Sequence, residues 1–386
     1  MRPFSYIARW IRPPQPRKDA GPIYCGIGAK NARRVFEERG FRIVRHSSEA
    51  ELLWLRSSGH GFFDDLAPYQ MVNHVPGEDW FSDKGNLAEV LYERERARAG
   101  TGRLRLHEFY QETYRLYEEE DLAAFLDLLP AEDDPENLWI LKPSAMAKGL
   151  GVKVTWRLNG MRKRLEHPDP ETRQLRYIAQ RYIKNPLLLG GRKSEIRVYF
   201  MIASLDPLLV LMFDEGTTRL NTLAFQLKDY DNPLIHLTNV YQQKLHEDYD
   251  PDAVLKWTFD ELDNHVAVTY GREPGAFLNE LFPRLRSIIE FAVRAVRDKL
   301  ALGFDGHYFG LYGVDLILDD TLRPWLTEIQ EGPGLSIDDP VKARVVLPLL
   351  EEAVTIASEV RRRKVSKAPL DELAARRRFQ WVVHET

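Results

Sequence analysis

Three groups of residues have the types and the spacing to do chemistry. The first is Lys142-Pro-Ser-Ala-Met-Ala-Lys148-Gly149-Leu-Gly151. Glycines in a turn between strands let backbone N–H groups approach phosphate oxygens, and two lysines can neutralise their charge. The string is not a Walker loop, because it lacks that spacing and a Ser or Thr after the lysine. Taken alone it also suits an ordinary solvent-facing hairpin. The second group is Gln180-Arg181-Tyr182-Ile183-Lys184, followed by Gly190-Gly191-Arg192-Lys193-Ser-Glu195-Ile-Arg197. A strand running into a backbone linker can offer N–H and C=O groups to an adenine edge. Glu195 and Arg197 alternate, so they share one face of the next strand. A surface ion pair, worth little, is the plain alternative. Lys193 directly after a glycine pair favours a phosphate and ribose site. The third group is Asp315, with Glu328 and Gln330 two residues apart. A hairpin turning at 319–322 brings Asp315 near both. Carboxylate and carbonyl oxygens suit magnesium, which keeps further ligands from water and phosphate. Acids on an exposed sheet face are the bland reading, but these stand in strongly apolar strands, where an unpartnered charge is costly.

These groups need elements to position them. Strand 24–27, helix 32–40 closed by glycine, and strand 41–45 open an α/β unit, with 51–55 as a further strand. The irregular stretch MVNHVPGEDW, in which Asn73 and His74 read as turn formers, leads to a helix beginning near Ser82. A charged, helix-rich section covers 104–129 and an acidic break follows at 130–135. Strands are then predicted over 138–142, 152–156, 177–183, 196–203 and 208–213. Apolar residues at helical spacing (Ile288, Ile289, Ala292, Val296) predict a helix over 283–300. Strands 312–318 and 324–330 flank the Asp319-Asp320 turn, and a last helix is predicted over 341–364. The fold class is α+β with an α/β module at the front.

With 386 residues, 44% hydrophobic and 29% charged, the chain has the composition of a soluble globular protein. A formal net charge of −4 gives no reason to expect nucleic acid as a partner. Local basic clusters stand at Arg94, Arg96 and Arg98, at Arg162, Lys163 and Arg164, at 361–364 and at 376–378. Each reads as a solvated face or as a contact for an acidic polypeptide. One cysteine, Cys25, excludes an internal disulfide framework and a cysteine-based zinc site. The amino terminus lacks a secretory pattern, and no apolar run reaches the length of a bilayer span. No membrane is expected as a partner, and the expected setting is the cytoplasm.

The order of several longer segments is more specific than any one motif. QMVNHVPGEDWFSDKGNLAEVL, WILKPSAMAKGLGV, IAQRYIKNPLLLGGRKSEIRVYF, HLTN and LYGVDLILDDTLRPWLTEIQ together resemble the tubulin tyrosine ligase-like family of ATP-grasp ligases over most of the chain. The resemblance implies a polar lead-in (1–20), an α/β module (21–110), an ATP-grasp lid region (111–190), a C-terminal ATP-grasp domain (191–365) and a charged tail (366–386). ATP and magnesium are the implied cofactors. Lys142 and Lys148, with Gly149 and Gly151, match phosphate contacts, and 180–183 matches the adenine linker. Lys193 and Glu195 match the nucleotide strand, where the family more usually has aspartate at the place of Glu195. His236, Thr238 and Asn239 match the HLTN motif, and Lys84 an early lysine that reaches the site. Asp315, Glu328 and Gln330 match the metal ligands, although the family has Asn at the place of Gln330. The run Glu331-Gly-Pro-Gly after it also departs from the family's small or polar residues. Arg197 matches the same nucleotide and phosphate-binding strand and Arg219 a family arginine near the transferred group; both are the candidates for stabilising the acylphosphate and orienting the carboxylates. The implied reaction joins a free amino acid, foremost glutamate, to an acidic protein or peptide acceptor through an acylphosphate, tubulin being the family's familiar acceptor. A small-metabolite ligase and a nucleotide-binding scaffold without turnover are the alternatives. A monomer is expected.

Overall fold

The structure is a computed structural model that describes residues 21–57, 63–97, 104–130, 132–146, 148–158, 162, 176–250, 253–302 and 306–385. The polar lead-in, Arg98, Lys163 and Arg164 lie outside the described residues. In chain order the elements are β1 (Ile23–Cys25), α1 (Lys30–Glu38), β2 (Ile43–Val44), β3 (Leu52–Trp54), β4 (Met71–Val72), α2 (Asp79–Ser82) and α3 (Lys84–Ala97). Next come β5 (Thr113–Arg115), α4 (Glu119–Asp127), β6 (Trp139–Pro143), β7 (Lys153–Thr155) and β8 (Tyr177–Arg181). The long second half holds β9 (Leu188–Leu189), β10 (Arg192–Leu205), β11 (Leu208–Phe213), β12 (Thr217–Leu220), α5 (Pro233–His236), α6 (Val240–Gln243) and β13 (Lys256–Thr258). It ends with α7 (Phe259–Tyr270), α8 (Ala276–Val296), β14 (His307–Tyr308), β15 (Gly310–Leu318), β16 (Pro324–Gln330), α9 (Pro340–Ser366) and β17 (Phe379–His384).

Three sheets result, and the fold is α+β. The front sheet runs β14-β4-β3-β1-β2 and is parallel throughout. A second, antiparallel sheet has the order β5-β8-β6-β7 and its own core around Phe125 and Trp139. The central sheet has the path β13-β12-β10-β11-β17, with β15 pairing both β10 and β16. Its two faces feed two cores. Val198, Phe200, Val210, Met212 and Val314 pack with α8, whereas Tyr199, Met201, Leu209 and Leu211 pack with α9 and the front module. Strict alternation along β10 and β11 produces this division.

The sequence reading differs from the structure at several elements. The stretch 104–129 contains an edge strand, β5, ahead of a single helix, because 113–115 pair with 178–180. Helix α8 begins at Ala276, ahead of Pro283, after a left-handed Gly275. Strands β4, β9, β12, β13 and β14 and helices α5, α6 and α7 form where no element was predicted. The terminal charged tail ends in β17, which pairs antiparallel with β11 and buries Phe379 and Val383. No helix among the described residues is long and apolar enough to cross a membrane.

Candidate active site

The site grows from the alternation of β10. Lys193, Glu195 and Arg197 occupy successive positions on one face, and all three are buried. The same face continues as Tyr199, Met201 and Ala203 into a hydrophobic core. One strand is thus polar at its start and apolar at its end, which fixes it as the floor of a site anchored in packed structure.

Beside it, β15 and β16 supply the carboxylates. Asp315 pairs with Arg197 across the β10–β15 ladder and with Glu328 across the β15–β16 ladder. The Arg197 guanidinium grips Asp315 with Nε and with Nη2, the latter at 2.6 Å, and Nη2 also donates to Gln330 Oε1 at 3.0 Å. Arg219 on β12 lies 2.6 Å from Asp315 and 2.9 Å from Glu195. Burial alone would raise the Asp315 pKa, but the two guanidiniums overcome it and hold the carboxyl well below the usual range. Glu195 moves the other way. Burial and then the nearby Asp315 charge raise it, against Arg219 and a hydrogen bond from Thr238. Its oxygens accept from Thr238 Oγ1 at 2.6 Å and Thr327 Oγ1 at 2.7 Å.

Two buried lysines face this cluster. Lys142 Nζ donates to Gln180 Oε1 at 2.7 Å, and Lys193 Nζ donates to Tyr182 Oη at 3.0 Å and the His236 carbonyl at 3.1 Å. Neither ammonium has a carboxylate within salt-bridge distance among the described residues. Burial, then Lys84, lowers Lys142 to about 8; burial lowers Lys193 to about 7, Lys142 adding to it and Glu195 opposing. The His236 ring is placed by its neighbours. Nε2 faces the Lys228 carbonyl, which only accepts, so Nε2 carries the proton and Nδ1 accepts from Tyr182 Oη at 2.9 Å. Lys84, at the start of α3, donates to the Met146 carbonyl at 2.9 Å and lies 3.4 Å from Glu328.

Two cavities meet here. The smaller, about 100 Å³, is lined by Lys142, Lys193, Glu195, Asp315 and Glu328 among others. The larger, about 700 Å³, lies between the front module, β10 and the loop after β16. Arg219 and Asn239 line both.

The sequence profile of the tubulin-tyrosine ligase family matches residues 64–366. The chain belongs to the tubulin-tyrosine ligase family. Its relatives include a Caenorhabditis elegans protein named "Probable tubulin polyglutamylase ttll-9", 31% identical over 52% of this chain and 47% of that protein. The Macaca fascicularis "Protein polyglycylase TTLL10" is 30% identical over 72% of this chain and 46% of its own length. The human "Tubulin polyglutamylase TTLL5" is 27% identical over 85% of this chain and 25% of its own length. The chain spans about half the length of the first of these relatives, or less.

Membership in the tubulin-tyrosine ligase family fits the α+β, ATP-grasp-type architecture. Of the residues singled out in the sequence, Lys84, Lys142, Gly149, Lys193, Glu195, Arg219, His236, Thr238, Asn239, Asp315 and Glu328 line the smaller cavity. Lys148, Arg197 and Gln330 line the larger one. Gln180 and Tyr182 stand behind it, holding Lys142 and Lys193. Arg181 and Gly151 line neither. The Arg181 guanidinium lies 3.9 Å over the Trp139 ring and pairs with Glu112, and a Cβ at Gly151 would come 2.7 Å from Pro143. The Ile183 side chain also lines neither cavity. Gly149 has a φ of 70° and presses against Gln242, so the glycine turn packs on α6. Three residues escaped the sequence reading. Thr327 is a site donor only because the β15–β16 register shifts between Asp315 and Leu316. Lys256 and Lys342 join the larger cavity from β13 and α9, elements in which no motif lies.

Proposed function

We propose that this chain is an ATP- and magnesium-dependent ligase that joins the amino group of an amino acid, foremost glutamate, to a carboxylate of an acidic protein segment. The observation that carries the reading is that two buried lysines, Lys142 and Lys193, and two strand-paired carboxylates, Asp315 and Glu328, line one cavity. Buried ammonium groups without a carboxylate partner are costly, and a nucleotide's phosphates would supply the missing charge. The residues therefore fit ATP. Magnesium fits too: Glu328 faces the cavity with Asp315 beside it, and hard oxygen donors suit an ion whose other ligands come from phosphate and water. Bound there, the ion would neutralise charge on the transferring phosphoryl group.

In this reading an acceptor carboxylate becomes an acylphosphate, and an amine then displaces phosphate to form an amide or isopeptide bond. The chain's own part is positioning and electrostatics. Lys142 and Lys193 hold phosphate. Arg197 and Arg219, fixed by Asp315, turn their remaining donors to the reacting carboxylate. Arg219 lines both cavities, so it stands where phosphoryl donor and acceptor meet. The relatives' names support a protein acceptor, tubulin or a protein of similarly acidic surface. The expectations of a cytoplasmic monomer accompany this reading.

ADP release by the purified chain with ATP and magnesium tests it. The reading expects release to need both an amino acid and an acidic peptide; release indifferent to the peptide sinks it. One observation favours a second reading. Gln330 gives its oxygen to Arg197 and its amide to Glu328, which ties up a metal-ligand position. If Gln330→Asn gains turnover that the parent lacks, the parent is a nucleotide-binding scaffold.

A further inference from the structure

The larger cavity holds more positive charge than the proposed reaction uses. Seven of its lining side chains are cationic, against one carboxylate, Glu331. Several of these cations are already committed. Arg197 and Arg219 pair with Asp315, and Lys256 lies 2.8 Å from Asp339. Lys342 is different. Its backbone N–H is capped by Asp339 Oδ1 at 3.0 Å, yet its ammonium has no hydrogen bond or ion pair among the described residues. The ammonium hangs over the loop after β16, where a Cβ placed on Gly334 would be 3.7 Å away.

Two further features make the position unfavourable without a ligand. Lys342 stands in the first turn of α9, a 27-residue helix, where the helix end is already positive and a cation is disfavoured. Burial, then Lys256, Arg197 and Arg219, lowers its pKa to about 8 against the pull of Asp339. A surface lysine stretching toward solvent would escape these neighbours. This one converges with Arg197 and Arg219 on the same cavity.

We propose that Lys342 is a specificity residue that takes a carboxylate that does not react, while Arg197 and Arg219 orient the acceptor carboxylate that does. The inference rests on the ligase reading for which carboxylate reacts; the recognition itself is open to a binding test. That carboxylate belongs either to the side chain of the free acidic amino acid, whose amine attacks, or to the residue beside the activated one in an acidic peptide, and the recognition chemistry is the same.

Calorimetric titration of the full chain separates the cases, with L-glutamate, L-glutamine and a tetraglutamate peptide as probes. Loss of one charge-assisted contact weakens binding about tenfold. Lys342→Met is therefore expected to weaken glutamate, or the peptide, by about tenfold and to leave glutamine unmoved. Lys342→Arg, which keeps the charge, should stay within about threefold of the parent. The probe that moves names the source of the carboxylate. Equal binding of glutamate and peptide by parent and Lys342→Met overturns the inference, as does an equal loss for glutamine. If that happens while ADP release still requires an acidic peptide, the ligase reading stands and only the role of Lys342 falls. A parent that binds neither acidic probe overturns both.

Discussion

A carboxylate held between two guanidiniums, as Asp315 is between Arg197 and Arg219, stays ionised far into acid. Its folded pKa lies below its unfolded one, so its contribution is complete above the unfolded value and is lost only as pH falls through the folded one. Mild acid therefore leaves this network standing. Removing the charge does not. Asp315→Asn leaves two buried guanidiniums short of a partner, and we expect a loss of about 3–5 kcal/mol in urea unfolding. Lys193 follows the opposite logic. Its pKa falls from 10.5 to about 7 on folding, so the unfolded chain binds the proton more tightly between those values. Stability then rises with pH across that window, while the phosphate binding proposed for Lys193, which needs the ammonium, weakens. Nucleotide affinity should fall from about pH 7 to about pH 9 with proton uptake on binding, and Lys193→Met should shrink the fall to the part carried by Lys142, at about 8. Calorimetry in buffers of different ionisation enthalpy checks both. Lys142, Lys193, Asp315 and Glu328 were legible in the sequence because charged residues at those places interrupt strand patterns. Lys342 was not, since a lysine in the first turn of a helix has no signature of its own.

At the scale of elements, β10 was legible over 196–203, where its side chains sort onto two faces as alternation requires, ahead of the register shift between Ile202 and Ser204. The β15–β16 hairpin was legible from its turn, but its register was not. The shift between Asp315 and Leu316 sets Glu328 opposite Asp315 and turns the Thr327 hydroxyl toward Glu195. Thr327→Val keeps the shape and removes a donor from a buried carboxylate, so about 1–2 kcal/mol of stability should go, read by thermal or urea unfolding. The close approach of β10 and β15 also has a test. A Cβ at Gly313 would come 3.1 Å from Arg197 Cδ and 3.0 Å from Pro333. Gly313→Ala should displace the Arg197 side chain and lower kcat/KM by at least about tenfold, for a stability cost of about 1–3 kcal/mol. Loss of stability without loss of activity would count against Arg197 as an orienting group.

At the scale of the whole molecule, the sequence divided the chain more neatly than the structure does. Strand β14, from residues 307–308, completes the front sheet, and β17, from 379–384, completes the central one. Such pairings join residues 166 to 236 positions apart and leave no local signal. The terminal strand is held by α9. Glu352 accepts from the backbone N–H groups of Arg377, Arg378 and Phe379 at 2.7, 2.8 and 2.9 Å. Glu352→Ala leaves those donors unmatched, so hydrogen exchange at 377–384 should accelerate and stability fall by about 2–3 kcal/mol. Strand β17 thereby covers β11, the neighbour of the floor strand β10, and the central claim is that this floor supports ligation. Intact-mass spectrometry of an acidic peptide incubated with the full chain, ATP, magnesium and glutamate tests that claim most directly. The account predicts ATP-dependent addition of glutamyl residues by the parent and none by Glu328→Gln. An unmodified peptide across a broad acidic panel, or addition that persists in Glu328→Gln, would contradict it.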